Sequence, residues 1–252
     1  MQLLKAVMFG AIGTVAETSD LQRRSFNAAF AGAGLNWHWS ADQYVQLLTT
    51  NGGQTRLRDY RDADASRRGV SDALIEQLHH AKTQHYVRLT QQAGAVKPRP
   101  GVCDLMRLCL DAGIKLAWCT STSLDNVASI QQALTGQLPV HPIHSSHPFD
   151  PFHVVVTIDK IARVKPAPDS YLYALTQLGL SANQVVAIED TPVSISAAKA
   201  AGIYCIATPG ATTVGQDFFQ ADCVLPDLAG LTLAQLNGLD RKSTRLNSSH
   251  VD

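Results

Sequence analysis

The chain of 252 residues has no excess charge of either sign, with Lys+Arg and Asp+Glu equal at 21 each. Proteins that hold nucleic acid or an anionic membrane by long-range attraction carry a basic excess. Neither partner is expected, and an anion site would have to be local. A long apolar run is also missing: no stretch reaches the roughly 18 residues that a membrane span needs. Met1–Val15 has one lysine followed by apolar residues, a faint likeness to a signal peptide. Gly10 and Gly13 interrupt that run and no small-residue cleavage site follows, so a buried first strand is the better reading. The five cysteines, Cys103, Cys109, Cys119, Cys205 and Cys223, are odd in number and form no C-x-x-C pair. That speaks against a disulfide framework and against a zinc–thiolate site. Buried, reduced thiols in a cytoplasmic protein are expected. No internal repeat is visible.

What is present is an ordinary globular composition, 45% hydrophobic and 17% charged. Leu4–Phe9 is a short apolar run ending at a glycine, the pattern of a buried parallel strand and its turn. Ile114–Cys119, Val154–Thr157, Val185–Ile188 and Ile203–Ala207 are runs of the same kind. Helical patterns lie between most of them, at Gly101–Ala112, Leu124–Leu134, Pro168–Leu178 and Pro192–Ala201. Gly113, Gly179 and Gly202 each stand just past a helix, where a left-handed residue is favoured. The alternation predicts an α/β fold: three layers, a Rossmann-like parallel sheet with helices on both faces.

Residues 15–93 break this alternation. Asp20–Gly32, Ser40–Thr49 and Ser71–Gln92 read as amphipathic helices, separated by the Asn51-Gly52-Gly53 turn and the polar Asp62–Gly69 stretch. The alternation resumes after Pro98-Arg99-Pro100-Gly101. The expected organisation is an α/β core of residues 1–14 and 94–239 with an all-helical insert of residues 15–93. Residues 240–252 (DRKSTRLNSSHVD) lack periodicity and are read as a non-native or disordered tail, similar to translated adapter read-through.

In open α/β sheets ligands bind beyond the carboxyl ends of the strands, and four segments end there. They are Ala6-Val7-Met8-Phe9-Gly10-Ala11-Ile12-Gly13-Thr14, Leu116-Ala117-Trp118-Cys119-Thr120-Ser121, Lys165-Pro166-Ala167-Pro168-Asp169-Ser170-Tyr171 and Val185-Val186-Ala187-Ile188-Glu189-Asp190-Thr191. In that order they resemble the four motifs of the haloacid dehalogenase superfamily. The resemblance runs to about residue 235. It implies phosphate binding by Thr120, Ser121, Lys165 and the backbone N–H groups of Ala11 to Gly13. It implies Mg²⁺ on Glu189 and Asp190. Plainer readings stand beside these: a solvated Lys165, Glu189 and Asp190 as helix caps, and Thr120 as one of a capping cluster.

The first segment departs from the family pattern. Gly10 stands where the resemblance places the aspartate nucleophile, and Ile12 where it places the general acid/base. Neither side chain can perform that role. Ala16-Glu17-Thr18, Arg23–Phe30 and Gly52-Gly53 are similar to the sugar-phosphate branch, which holds CbbY proteins and β-phosphoglucomutases. In that branch a helical cap closes over the sugar. This likeness implies Glu17 at the cap hinge, Gly53 in the cap, and Arg56 or Arg58 against a distal phosphate. Gln54 stands where that branch commonly has lysine.

Three functions follow as expectations. The first is a sugar-phosphate phosphatase-type protein impaired in phosphoryl transfer that still binds a phosphorylated small molecule and Mg²⁺. The second is an active phosphohydrolase whose nucleophile is a metal-bound water. The third is a protein-interaction scaffold whose pocket is filled by side chains such as Ile12 and Trp118. His141, His144, His147 and His153 invite a metal, but their irregular spacing favours an exposed loop. For Trp37, His38 and Trp39 two readings stand, lining of the cleft between cap and core and plain packing, and packing is the expected one.

Overall fold

The first strand, β1 (Ala6–Phe9), is fully buried at the centre of a six-stranded sheet in the computed structural model, which describes residues 4–48, 50, 52–140 and 149–238. The expected tail, residues 240–252, lies outside the described residues, as do Asn51, His141, His144 and His147. After β1 come four helices: α1 (Ser19–Gly32), α2 (Ala41–Leu47), α3 (Gly53–Asp62) and α4 (Asp72–Thr90). The alternating part then runs α5 (Val102–Asp111), β2 (Lys115–Cys119), α6 (Leu124–Ala133), β3 (Val154–Val156), α7 (Asp169–Leu178), β4 (Val185–Glu189), α8 (Pro192–Ala200), β5 (Tyr204–Ala207), β6 (Cys223–Val224) and α9 (Leu233–Gly238).

Every pairing is parallel, in the order β3-β2-β1-β4-β5-β6. Side chains on a strand alternate between faces. Val7 and Phe9 of β1 therefore join Leu105 and Met106 of α5 and Val127 and Ile130 of α6 in one core. Ala6 and Met8 join Tyr171 and Ala174 of α7 and Ile195 and Ala198 of α8 in the other. These are the three layers that the alternation predicts.

Local chemistry sets the helix ends. The hydroxyls of Ser40, Ser71, Ser123 and Thr191 accept backbone N–H groups from the first turns of α2, α4, α6 and α8. Gly113, Gly179 and Gly202 have φ of 69°, 67° and 76°, as the residue after a helix often does.

The four-helix insert has a core of its own. Trp39 is fully buried and touches the rings of Phe26, Phe30, Tyr44 and Tyr60 at centroid distances of 4.7–5.8 Å. Trp37 packs edge-on against Phe30. Both tryptophans are therefore packing groups. Helix α3 is an addition to the sequence reading. Its segment, GQTRLRDYRD, buries only Arg56 and Leu57, so it carries almost no apolar stripe to recognise. The short β6 and α9 are additions of the same kind.

Replacing Trp39 with alanine is expected to cost about 3–5 kcal/mol, the usual loss for emptying a packed aromatic site. Urea unfolding measures this. A loss below about 1 kcal/mol would show that the insert does not depend on this cluster.

Candidate active site

Strand register assembles the site. Phe9 is level with Trp118 of β2 and with Ile188 of β4. The residues that follow, Gly10, Cys119 and Glu189, therefore meet beyond the same sheet edge. The connection leaving β1 runs to β2 on one side and that leaving β4 to β5 on the other, which opens a crevice between the loops. The Gly10 N–H donates to the Ile188 carbonyl at 3.0 Å. The Gly10 carbonyl accepts the Trp118 indole N–H at 3.1 Å.

The space beside Gly10 is taken. A Cβ at position 10 would overlap Glu189 Oε2 and lie 2.5 Å from Thr14 Oγ1. Glu189 is itself held: Lys165 Nζ donates to its Oε1 at 2.5 Å, and the Tyr171 hydroxyl donates to the same oxygen. Lys165 and Glu189 are 5% and 1% exposed, so this is a buried ion pair rather than a solvated lysine. Asp190 accepts the Thr14 hydroxyl at 2.9 Å. Burial, with the neighbouring Glu189 charge, raises its carboxyl to about 7. Gly13, at φ +83°, has no room for a side chain because a Cβ would overlap the Asp190 carboxylate.

These contacts settle the plainer readings. Thr191 caps α8, so Glu189 and Asp190 do not. Ser123 caps α6, while Thr120 is buried and its hydroxyl accepts the Thr122 N–H at 3.1 Å. Ser121 Oγ accepts the Lys165 backbone N–H at 3.2 Å. The Gly13 N–H donates to the Ala16 carbonyl at 2.9 Å, so that donor is committed within its own loop and not to an anion.

A cavity of about 940 Å³ separates these strand ends from the helical insert. Ala11, Ile12, Thr120, Ser121, Lys165, Glu189 and Asp190 line its sheet side. It is open, not filled as a scaffold would have it. Trp118 is turned into the core, stacked on Phe152 at 4.7 Å. Glu17, Gly10 and Gly13 do not line it. Glu17 lies between β1 and α1, accepting the Ser19 N–H at 2.8 Å, and its Oε2 is buried without a partner among the described residues.

The insert side brings Gly53, Arg56 and Arg58 to the cavity wall. Arg56 is largely spent on structure, donating to the carbonyls of Leu47 and Thr50 at 2.9 and 2.8 Å. Arg58 is 3.5 Å from Asp72. Gly53 allows α3 to approach α4, since a Cβ there would lie 2.7 Å from the His79 ring.

Among the cavity residues absent from the sequence reading are His79 and Lys82 of α4. Lys82 is 3% exposed, lies 5.1 Å from the Phe26 and Tyr86 ring centroids, and has no hydrogen bond among the described residues. Burial and the nearby Arg56 lower its ammonium to about 7. Burial first, then Lys82, lowers His79 to about 4. A signal existed: Lys82 continues the Ile75, Leu78, Tyr86 stripe of α4, and a lysine on an apolar stripe is conspicuous. Arg99 was also passed over. Its guanidinium donates to the carbonyls of Gly13, Thr208 and Pro209 at 2.5, 2.6 and 2.8 Å, tying the loop after β1 to the loop after β5.

No group of three or more His, Cys, Asp or Glu side chains that could hold a metal occurs among the described residues. Glu189 is committed to Lys165, and position 10 offers no carboxylate. The donors present do not make a Mg²⁺ cage, which needs oxygen ligands in near-octahedral array. His153 accepts the Leu116 N–H at the sheet edge and is not part of this site. Cys119 is not a substitute nucleophile, because burial pushes its thiol to about 12.

The family model of haloacid dehalogenase-like hydrolases matches residues 4–202. The chain belongs to this family. CbbY from Rhodobacter capsulatus is 41% identical over 226 residues, covering 90% of this chain and 94% of that one. A CbbY mutant from Rhodobacter sphaeroides in complex with xylulose-(1,5)bisphosphate superposes with a TM-score of 0.82 at 37% identity, covering 93% of this chain and 100% of that one. A β-phosphoglucomutase from Clostridium difficile shares the fold at 16% identity, with a TM-score of 0.71 and coverage of 93% and 96%. The haloacid dehalogenase-like sheet and its helical cap therefore frame the cavity described above. No described helix is long and apolar enough to cross a membrane.

Asp190 keeps its proton to about 7 in the fold but releases it near 3.8 when unfolded. Its contribution to stability is complete at low pH and is lost as the pH rises through the folded value. In EDTA, the native chain is expected to lose stability relative to Asp190→Asn between pH 3.8 and about 7, with a constant difference above that. A difference that does not change across this window in denaturant titrations would show an unperturbed Asp190.

Proposed function

We propose that this protein binds a phosphorylated sugar between the sheet and the cap, and that rapid phosphoryl transfer has been lost. One observation carries the reading: the cavity is open and lined by cations, while positions 10 and 12 offer no nucleophile and no proton carrier. CbbY of Rhodobacter sphaeroides has been solved with xylulose-(1,5)bisphosphate and with phosphate, which supports a ligand of this class. On this reading Thr120, Ser121, Ala11 and Lys165 stand at the wall where an active relative would attack the phosphoryl group. Lys82 meets an anionic group at the cap wall, which Arg58 also lines. Asp190 retains a proton near neutrality, but glycine cannot attack and isoleucine cannot relay, so the covalent step has no agent. A metal-bound water would need a cage that Glu189 and Asp190 do not make, and no step is assigned to a metal.

Phosphate release from a panel of sugar phosphates with Mg²⁺ is expected at background for the native chain. It should appear in the Gly10→Asp/Ile12→Asp double variant, where the new aspartate displaces the Glu189 carboxylate. Native turnover at a rate comparable to the variant would overturn the reading and require another nucleophile.

Lys82→Met separates binding from stability. Sugar-phosphate affinity should fall by about tenfold or more, the scale of a lost charge-assisted bond. Stability at neutral pH should rise, since a buried charge is removed. The folded lysine titrates at about 7 against 10.5 when unfolded. The penalty of the native chain is therefore full below about 7 and disappears as the pH approaches 10.5. Calorimetric titration and thermal unfolding check both. An unchanged affinity would place the anion elsewhere.

A further inference from the structure

A lysine ammonium has three N–H donors, and Lys165 uses all of them. They go to the Cys119 carbonyl at 3.0 Å, the Tyr171 hydroxyl at 3.3 Å and Glu189 Oε1 at 2.5 Å. No donor is left for a phosphate oxygen. Two of the three partners are fixed by the fold, one being backbone at the end of β2 and the other a fully buried ring in α7. Glu189 is the partner that a rotation of its own side chain could release. What leaves room for it there is the lack of a side chain at position 10. The second oxygen, Oε2, lies where a Gly10 side chain would be, so any residue larger than glycine would push the carboxylate off that spot. Gly10 and Glu189 are thus a matched pair, each permitting the other.

We propose that Glu189 is an internal anion that occupies the place of the missing side chain and competes with phosphate for Lys165, so that it decides what the sheet side of the cavity accepts. A phosphate dianion entering there would have to displace one carboxylate from Lys165 with Asp190 adjacent, and like charges at such range repel strongly. A neutral hydroxyl group meets no such opposition. Among the described residues, Lys82 is the buried cavity cation without a hydrogen bond, and it lies on the cap wall. The geometry therefore favours a sugar with a single phosphate that points toward the cap, with its uncharged end toward the strands. This deepens the binding role proposed above and rests on it for the sugar, but the competition for Lys165 stands or falls with inorganic phosphate alone.

The experiment is calorimetric titration of inorganic phosphate, in EDTA at pH 7.5, into the native chain, Glu189→Gln and Glu189→Gln/Lys165→Met. Removing the competing charge should tighten phosphate by about tenfold or more, the scale of a charge-assisted bond gained. The double variant should lose that gain. If Glu189→Gln binds no better than the native chain, or if the double variant keeps the gain, the proposal is overturned. Gly10→Ala supplies an independent arm should Glu189→Gln not fold. Its methyl group evicts the carboxylate without touching Lys165, so phosphate should tighten here too, and unchanged or weaker binding overturns the proposal. A result in which phosphate behaves as expected but no sugar phosphate binds would leave the competition intact and count only against the sugar reading.

Discussion

The pair between Lys165 and Glu189 organises the end of the sheet. Taking two charges out of water costs more than their attraction returns unless the remaining donors and acceptors are also satisfied. Here the Tyr171 hydroxyl and the Cys119 carbonyl complete the set. The pair is possible only because β1 and β4 are adjacent and parallel, with Phe9 level with Ile188, so that the chain at Gly10 passes directly beside Glu189. Asp190, one residue on, accepts the Thr14 hydroxyl and forms no ion pair among the described residues. Its carboxyl is raised by burial and by the adjacent Glu189 charge.

The cap answers to a different constraint. Its aromatic cluster around Trp39 is large enough to hold four helices together. Into the edge of that cluster α4 projects Lys82, with no hydrogen bond among the described residues to compensate its burial. A buried lysine is a cost to folding, and such costs persist mostly where a site needs them. Arg99 secures the root of the cap from the core side. By gathering three carbonyls it secures the loop after β1, through which the chain enters the cap, against the loop after β5. The open cavity thus has a wall fixed by ion pairing on the sheet side and a wall carrying an uncompensated cation on the cap side.

Much of this was legible before any coordinates. Five apolar runs, the helices between them and the glycines at their ends specify a parallel three-layer core, because strand and helix periods differ and left-handed glycines mark where helices stop. The order of the four strand-end segments carries the family, and the residues at positions 10 and 12 can be read directly as chemically inert. Thr120, Ser121, Lys165, Glu189 and Asp190, named from the resemblance of their segments to the family motifs, all line the sheet side of the cavity. Helix α3 was not legible, since its helical face buries almost nothing apolar, and neither was Lys82, which was passed over among the polar residues of α4.

The amino-acid sequence by itself determined the element types, the insertion of helices after the first strand, and the lack of an acidic side chain at positions 10 and 12. Those depend on local periodicity and on side-chain chemistry. Only the tertiary structure decided how the survivors are used, because that depends on register and burial. Lys165 is saturated by Cys119, Tyr171 and Glu189, the Gly13 N–H is spent on Ala16, Arg56 serves the carbonyls of its own cap, and Lys82 is left facing the cavity. Residues distant in sequence compete for the same few donors there, and no pattern along the chain records which of them wins.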